Sequence, residues 1–395
     1  MTGRPVRALC LDIEGGHGGS SRSLYESIAH LDRAETQVSV WCKREGPIQD
    51  KYSALNVPTA VRADMPKVSS LPRLSRNLYA YSLFVSDWLR SAGFRRALEA
   101  ASHDVDVVHF NHESLFLLAQ WLKPRTRAKL SMHIRTNLYG TRFCRWQDRK
   151  IAKTLDHLIY ITENEADTMH HLSGLKPPGT VIYNIVDLTD ALPHPEVPAD
   201  SRLKIACLSN FAWVRGIDRT VEIAAALRAA GCDDVLFVMA GDMHLSRSLP
   251  GELGKLGAAG ETLETHVQKQ GLSDMFLFLG HVANPESVLA SCDALIKPTR
   301  EANPWGRDIL EGLAAGKAAI SVGSYDRFVE DEVTGILLHD YNCDEMARRI
   351  AELADDRARC RAYGENGRAR VRTLCDGEAR ARELAGVWHE LAVRE

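Results

Sequence analysis

The stretch NPWGRDILEGLAAG, residues 303–316, is the most informative part of the chain. It follows the short apolar run Asp293–Lys297, turns through Pro304 and Gly306, and continues with apolar residues at helical spacing. This order predicts a strand, a loop and a helix that begins near Arg307. The first N–H groups of a helix lack intrahelical partners, and the helix dipole makes that end positive. The stretch therefore predicts an anion site that suits a diphosphate.

The same alternation of strand and helix extends in both directions from this stretch. The predicted strands are Val6–Ile13, Gln37–Trp41, Asp106–Phe110, Lys129–His133, His157–Ile161, Leu203–Leu208, Val235–Ala240, Met275–Leu279, Asp293–Lys297 and Ala318–Val322. Amphipathic segments lie between many of them. Strands that alternate with helices are typical of parallel sheets covered on both faces, so we expect an α/β fold.

Three prolines between Ala191 and Ser201 interrupt this alternation and predict a linker. We therefore expect an N-terminal Rossmann-like domain at residues 1–190, a linker at 191–202 and a second Rossmann-like domain at 203–375. The two domains are expected to face a central cleft. Residues 376–395 hold a charged helix, Asp376–Val393, that we expect to pack outside the second sheet or to cross back to the first domain.

The amino-acid composition indicates the general type of protein. The chain has 395 residues, of which 45% are apolar and 26% charged, values that indicate a globular protein. Its nine cysteines are scattered and never spaced C-x-x-C, which argues against a zinc site and for reduced thiols. No apolar run approaches the length of a membrane span, and we expect a cytoplasmic protein without a leader.

Charge is unevenly distributed. The formal net charge is −3, too small to indicate nucleic acid binding. Residues 62–153, however, hold 17 basic and 7 acidic side chains, a net charge of +10. This region also contains aromatic residues. The mixture suggests an anionic membrane surface or an acidic, lipid-linked ligand as a partner, although an ordinary solvated face explains it as well.

A glycine-rich loop, Gly15-Gly16-His17-Gly18-Gly19, follows the first strand and opens a helix. Gly16-x-Gly18 fits the start of a dinucleotide fingerprint, but Ser21 occupies the third glycine position. Three interpretations stay open: an NAD site, a tight turn without a ligand, and a loop whose N–H groups face an anion.

Five motifs resemble glycosyltransferase family 4, a group of retaining nucleotide-sugar transferases with the GT-B fold. The family pattern P-S-x-x-E-x-F-G-x-x-x-x-E-A-M-A-x-G-x-P-V corresponds to KPTREANPWGRDILEGLAAGKAAI, with Asn303 and Glu311 at the two glutamates. The pattern G-R-L-x-x-x-K-G corresponds to SNFAWVRG, with Asn210 and Arg215 at the two cations. VIYNIVDL, FLFLGHV and EDEVTGILL match further motifs, and the order and spacing agree over nearly the whole chain.

The resemblance implies the transfer of a hexosyl group from a nucleoside diphosphate to an acceptor hydroxyl, with retention and without a metal. The nucleotide sugar is then a substrate, and no cofactor is expected. The family's histidine corresponds to His133 in KLSMHIRTN. His133, Arg215 and Glu311 are the implied catalytic residues, with Glu311 on the ribose. The implied donor contacts are Gly16, Gly18, Gly19, Asn210, Val282, Asn303, Pro304, Trp305, Gly306 and Arg307.

Two departures from the family pattern matter. Asn303 replaces a carboxylate that binds the donor sugar, and Asn210 replaces one of two cations beside the diphosphate. We expect Arg300 or Arg307 to supply the missing charge. The implied partners are the donor and a glycan or lipid-linked acceptor, with peripheral association at the inner face of an anionic membrane and no nucleic acid. The implied role is glycan, glycolipid or polysaccharide biosynthesis.

Other functions stay open at this point. Asn210 and Asn303 would also fit a catalytically impaired protein that only binds nucleotide sugars, and the glycine loop would fit an NAD-dependent oxidoreductase. Asp104 and Asp106 have the form of a metal-binding D-x-D but enter a strand at its amino end, away from any cleft. The segment HFNHE, residues 109–113, is interpreted as the loop after that strand and a candidate contact for the acceptor.

Overall fold

The computed structural model describes residues 4–16, 18–66, 78–136, 140–187, 191–301 and 303–393. They form two compact units. The first unit combines Met1–Ile185 with Cys375–Glu395, and the second consists of Val186–Leu374. Each unit contains one parallel sheet, so the expected fold class of two Rossmann-like domains is confirmed.

The first unit contains a seven-stranded sheet with the strand order β3-β2-β1-β4-β5-β6-β7. Its strands are β1 (Val6–Asp12), β2 (Thr36–Cys42), β3 (Thr59–Val61), β4 (Val107–Phe110), β5 (Lys129–Ile134), β6 (His157–Tyr160) and β7 (Gly179–Val181). Its helices are α1 (Gly19–Ala29), α2 (Ile48–Ala54), α3 (Leu78–Arg90), α4 (Ala92–Ser102), α5 (Phe116–Leu122), α6 (Arg142–Thr154) and α7 (Glu163–Ser173).

Both faces of this sheet are covered. Along β1, Leu9 and Leu11 belong to one apolar core, whereas Ala8 and Cys10 belong to another. Successive side chains of a strand point to opposite faces, so the alternation assigns one core to each face. This explains why the strands read as continuous apolar runs.

The second unit contains a six-stranded sheet with the order β10-β9-β8-β11-β12-β13. Its strands are β8 (Leu203–Leu208), β9 (Val235–Ala240), β10 (Phe276–Gly280), β11 (Ala294–Lys297), β12 (Ala318–Val322) and β13 (Gly335–Leu338). Its helices are α8 (Arg219–Ala229), α9 (Gly251–Ala258), α10 (Leu263–Lys269), α11 (Pro285–Ser291), α12 (Arg307–Ala314), α13 (Cys343–Asp355) and α14 (Arg357–Leu374).

The last helix, α15 (Gly377–Val393), packs on the first sheet although it directly follows the second unit. Its apolar stripe buries Ala381, Leu384, Val387, Trp388 and Leu391 in the core that contains Cys10. Trp388 is completely buried. The apolar residues recur at intervals of three and four, so one face of the helix is buried along its whole length.

The order of the strands indicates where each unit can bind a ligand. In both sheets the chain runs outward in one direction and then continues on the other side of the first strand. Ligands of such sheets bind outside the carboxyl ends of the strands, at the point where the direction changes. That point lies between β1 and β4 in the first unit and between β8 and β11 in the second.

Candidate functional site

The loops after β8 and β11 flank the switch point of the second unit. Ser209 and Asn210 follow β8, and residues 298–301 and 303–306 follow β11. Because all the strands are parallel, these loops lie at the same edge of the sheet as the start of α12. The structure therefore brings together the residues that were predicted from two distant motifs.

Helix α12 begins at Arg307, as the sequence predicts, with Gly306 at its N-cap. The φ of Gly306 is 167°, an extended value that any residue adopts, so glycine is required here for space. A Cβ would lie 2.9 Å from Lys297 Nζ and 2.6 Å from Asp308 Oδ1. The ammonium group of Lys297 and the carboxylate of Asp308 therefore both lie close to the N-terminus of α12.

Arg215 reaches this N-terminus from the turn Trp213–Arg215. Its guanidinium donates to Ser209 Oγ at 2.8 Å and lies 3.8 Å from Asp308 Oδ2. The next residue, Gly216, has φ 68° and would place a Cβ 2.0 Å from the carbonyl oxygen of Pro298. Gly216 thus allows the turn to press against the loop after β11 and to hold Arg215 beside α12.

Glu311 lies one turn into α12 and pairs with Arg307. Arg307 Nε donates to Glu311 Oε1 at 2.8 Å, and the two side chains are only 14% and 12% exposed. The guanidinium compensates part of the hydration that a carboxylate loses in such a shielded position. Arg307 is therefore engaged in holding Glu311 in place.

Asn210 and Val282 occupy neighbouring loops of the same edge. Asn210 Oδ1 accepts a hydrogen bond from the backbone N–H of Asp242 at 2.8 Å, which ties the loop after β8 to the loop after β9. Val282 is half-buried in the loop after β10. Asn210 has a structural contact at the position where the family pattern has an arginine.

Arg300 does not reach the N-terminus of α12 in the way the sequence suggested. Its guanidinium forms a bidentate pair with Asp218 at 2.7 and 2.6 Å and stacks on the ring of Trp213 at 3.5 Å. Asp218 is 4% exposed, so the carboxylate of this pair is buried. Removing its cation would leave an uncompensated buried charge, and we assign Arg300 to the packing of this loop.

Lys297 is the cation that sequence reasoning missed. It ends β11, and its Nζ donates to the carbonyl oxygen of Trp305. The sequence did contain an indication of this residue, because Lys297 is the charged last residue of an otherwise apolar strand and directly precedes the loop. Its significance depends on how the loop returns over the strand end, which the sequence does not specify.

Two polar atoms in this loop are buried without a hydrogen-bond partner among the described residues. They are Asn303 Oδ1 and Trp305 Nε1. Trp305 is 3% exposed, and its ring packs against Phe328. Pro304 is likewise buried. Buried polar groups normally have partners, so these two atoms are candidates for contacts with a bound molecule.

The glycine loop of the first unit closes around a buried carboxylate. Asp12 ends β1 and accepts hydrogen bonds from the N–H groups of Glu14 at 3.4 Å and Gly15 at 3.2 Å. Gly15 and Gly16 have φ values of 72° and 100°, which favour glycine. The Glu14 carboxylate lies against Gly18, where a Cβ would clash with it. The contacts of Gly16, Gly18 and Gly19 with a donor stay a prediction.

His133 lies in β5 and is only 4% exposed. Its Nδ1 is 2.8 Å from Nε2 of His109, whose own Nδ1 is 2.9 Å from Ser131 Oγ. His109 lies within β4 and is fully buried, which corrects its interpretation as a loop residue. Trp388 packs against the His109 ring at 5.5 Å. Parallel pairing of β4 with β5 creates this hydrogen-bonded series.

Arg135 follows β5 and organises the adjacent loops. Its guanidinium donates to Asn111 O at 2.9 Å, to Asn111 Oδ1 at 2.6 Å and to Asn184 Oδ1 at 3.3 Å. Glu113 receives the backbone N–H of Arg135 at 3.2 Å. This part of HFNHE thus fixes the loop after β5, a role that the sequence did not reveal.

The two histidines are uncharged in the folded chain. Burial, and next the positive charge of Arg135, lower the pKa of His109 to about 3. The same causes, followed by His109 itself, lower the pKa of His133 well below its usual value. Each neutral imidazole has one donor and one acceptor nitrogen, and the Ser131 hydroxyl satisfies the series in either direction.

We expect the free energy of unfolding to fall as the pH falls from about 6.5 to 5. In this range His109 and His133 take up protons in the unfolded chain but stay unprotonated in the folded chain. Each buried imidazole should contribute about 1.4 kcal/mol per pH unit to the slope. Urea unfolding at several pH values measures it. His109→Gln should reduce the slope, whereas His171→Gln, at an exposed position, should not. An unchanged slope in His109→Gln would contradict this assignment.

No cluster of three or more histidine, cysteine, aspartate or glutamate side chains suited to a metal ion occurs in the described ranges. Asp106, one of the two aspartates of the D-x-D sequence, instead binds Arg4 at 2.6 and 2.8 Å. Of the helices that the structure describes, none has the length and apolar character that a membrane span requires.

Two family models match adjacent parts of the chain. The model described as Glycosyltransferase Family 4 matches residues 17–190, and the model described as Glycosyl transferases group 1 matches residues 190–370. Together they extend over both units and meet where the proline-rich segment begins.

Curated relatives are distant and several cover only part of the chain. An alpha-D-kanosaminyltransferase of Streptomyces kanamyceticus is 22% identical over 63% of this chain and 64% of its own length. The lipopolysaccharide core mannosyltransferase LpsB of Rhizobium meliloti is 31% identical over 33% and 38%. A GDP-mannose-dependent phosphatidylinositol monomannoside mannosyltransferase of Mycobacterium tuberculosis is 24% identical over 72% and 76%.

Solved structures resemble the chain over nearly its whole length. Anabaena HepE, crystallised with UDP and glucose, superposes with a TM-score of 0.75 at 19% identity and covers 98% of this chain and 100% of its own. A sucrose-phosphate synthase from Thermosynechococcus elongatus gives 0.72 at 18% identity, covering 98% and 99%. At this level of identity the likeness establishes the fold.

Proposed function

The chain belongs to glycosyltransferase family 4 and has the GT-B fold, and from this we propose that it transfers a sugar from a nucleoside diphosphate to an acceptor hydroxyl. The observation that carries the proposal is the N-terminus of α12, which is flanked by Arg215 and Lys297 and by the unpartnered atoms of Asn303 and Trp305. Two cations, one unpaired N–H donor and one unpaired amide oxygen beside the start of α12 fit a diphosphate with an attached sugar.

The proposed chemistry depends on the leaving group. As the glycosidic bond opens, the departing diphosphate gains negative charge, and fixed cations and N–H dipoles stabilise that charge without reorganisation. Arg215 is suited to this role because a guanidinium binds phosphate with two parallel hydrogen bonds. Lys297 adds a second positive charge close to Gly306 and compensates for Asn210.

The proposed contacts with the rest of the donor follow from the same loop. Glu311, held by Arg307, offers its carboxylate to the ribose hydroxyls. Asn303 and Trp305 offer an acceptor and a donor to the sugar or the phosphates. From the first unit, His133 is the proposed contribution to catalysis, and His109 is the residue that positions its ring.

The proposed transfer retains the configuration of the anomeric carbon and needs no metal, because the cations of the chain supply the charge. We expect activity to be unchanged by EDTA and unaffected by added Mg²⁺ or Mn²⁺. Measurement of donor consumption with and without chelator checks this. An enzyme inactivated by EDTA and restored by either metal would show that an ion completes the diphosphate site.

The experiment that tests the function begins with a thermal-shift panel of UDP, GDP, ADP, CMP and TDP sugars. A ligand that binds only the folded chain raises its unfolding midpoint by mass action. The selected donor is then incubated with the protein, and release of the nucleotide is followed. Binding with release supports the enzyme. Binding without even slow release, across all acceptors offered, would favour a nucleotide-sugar binding protein instead.

We further propose a glycan or lipid-linked acceptor, reached by peripheral association with the inner face of an anionic membrane. The support is the basic region of the first unit and the glycolipid named as the acceptor of the mycobacterial relative. Part of the basic region, residues 67–77, lies outside the described residues. The role in glycan, glycolipid or polysaccharide biosynthesis follows from such an acceptor.

A further inference from the structure

Helix α6 has one buried and one exposed face. The inner face buries Cys144, Gln147, Asp148 and Ile151. The outer face consists of six exposed residues that we call the basic stripe: Arg142, Arg145, Trp146, Arg149, Lys150 and Lys153. They recur at intervals of three and four residues, which places them on a single side of the helix. Thus the sequence of α6 separates its cations from its apolar residues.

The basic stripe is not neutralised by its own helix. The only acidic residue of α6 is Asp148, which is 1% exposed on the opposite face. Burial, and next the charge of Glu113, raise the pKa of Asp148 to about 7, which further reduces its negative charge. In the part of the chain that the structure describes, none of the five cations forms an ion pair. Arg149 donates to Ser173 O at 3.0 Å, which fixes the direction of its side chain.

Trp146 lies in the middle of the basic stripe and is 40% exposed. Its ring packs edge-on against Phe116 at 5.7 Å and lies 5.3 Å from Phe143. A tryptophan with one part anchored and one part exposed, between cations, is typical of residues that lie at the boundary between lipid and water.

The position of α6 connects the basic stripe to the proposed acceptor side. The chain enters α6 directly from the loop after β5, the strand of His133. Thr141 caps the helix by accepting the N–H of Cys144 at 3.1 Å. The N-terminal cations therefore begin at the carboxyl edge of the first sheet, where the acceptor is expected.

We propose that the basic stripe of α6 is a docking surface for the anionic headgroups of a lipid bilayer. A helix of thirteen residues is about 20 Å long, and its cations extend over the whole length with one aromatic anchor between them. Such a row fits a flat anionic surface, whereas the net charge of the whole chain, −3, provides no general attraction to polyanions. The docking of α6 on a bilayer rests on the proposed function in one respect, which is that the bilayer would hold the lipid-linked acceptor.

The test is sedimentation of the full chain with vesicles of phosphatidylglycerol and phosphatidylcholine in equal parts, and with vesicles of phosphatidylcholine alone. We expect binding to the anionic vesicles that is reversed by high salt, because exposed charges are screened within a Debye length. Arg145→Gln with Lys150→Gln should weaken it about 25-fold, since each cation near an anionic leaflet strengthens binding about fivefold. Trp146→Ser should weaken binding while leaving its dependence on salt unchanged.

The matched control is Arg361→Gln with Arg372→Gln, which removes two exposed arginines from α14. This variant should bind like the wild type. Equal weakening in both double variants, or equal binding to neutral vesicles, would overturn the proposal. Binding to a soluble acidic polysaccharide without binding to vesicles would also overturn it. Release of nucleotide from the donor, measured without lipid, should be the same in both double variants, so a failed docking surface is distinguishable from a failed transferase.

Discussion

Replacing Arg215 by Gln is expected to lower kcat by about 100- to 1000-fold, the usual cost of removing one fixed group that stabilises developing negative charge. The guanidinium is the cation nearest to α12 on the side of β8, and it is held by Ser209 at 2.8 Å. Lys297, the other cation close to the start of α12, already donates to the carbonyl oxygen of Trp305. Release of nucleotide from a saturating donor measures the effect.

Two further variants make this prediction specific. Arg215→Lys should keep most of the activity, because a lysine occupies this position in the family pattern. Arg228→Gln removes an arginine of α8 that forms exposed ion pairs with Asp233 and Asp274, and it should leave kcat unchanged. If Arg215→Gln were as active as Arg228→Gln, the charge that stabilises the leaving group would have to come from elsewhere.

Replacing Glu311 by Gln is expected to weaken donor binding by about 10- to 100-fold, which corresponds to the loss of a charged acceptor from buried hydrogen bonds. The loss has two parts, because the amide also releases Arg307 from its partner. Asp308 is unsuited as a comparison, since the structure places its carboxylate 3.8 Å from Arg215.

The suitable comparison for Glu311 is Glu352, which pairs with Arg348 four residues away on the exposed surface of α13. Glu352→Gln should leave the thermal shift by the donor unchanged. Titration of the donor against each variant, followed by calorimetry, measures both constants. Similar constants for the two variants would remove Glu311 from the donor site and leave it as a helix contact.

Much of the second unit could be predicted from the sequence, because its strands, helices and turns are specified by residues close together in the chain. The alternation of strand and helix, the glycine before Arg307 and the turn at Arg215 depend on neighbouring residues. The strands β3, β7 and β13 were not predicted as strands; they have only three, three and four residues, too few to show a period.

The contacts of individual side chains were predicted less well, because one residue type at a given position can have several different partners. Arg300 was expected beside the phosphates, but it binds Asp218, which lies at the start of α8 in the segment after β8. Lys297 was overlooked because a lysine at a strand end has many possible surroundings. In both cases the partner depends on which loops come into contact at one edge of the sheet. The spacing of residues in the sequence does not specify that contact.

The sequence by itself determined the two parallel-sheet units, the helix start at Arg307, the positions of Arg215 and Glu311 and the cations of α6, since each depends on residue type and short-range period. Only the tertiary structure decided that His109 bonds His133 across 24 residues and that Trp388 from the last helix packs on that pair. It also decided which face of α6 is exposed. The reason is physical: strand pairing and helix packing join segments distant in the chain, and the free energy of those contacts depends on the whole fold.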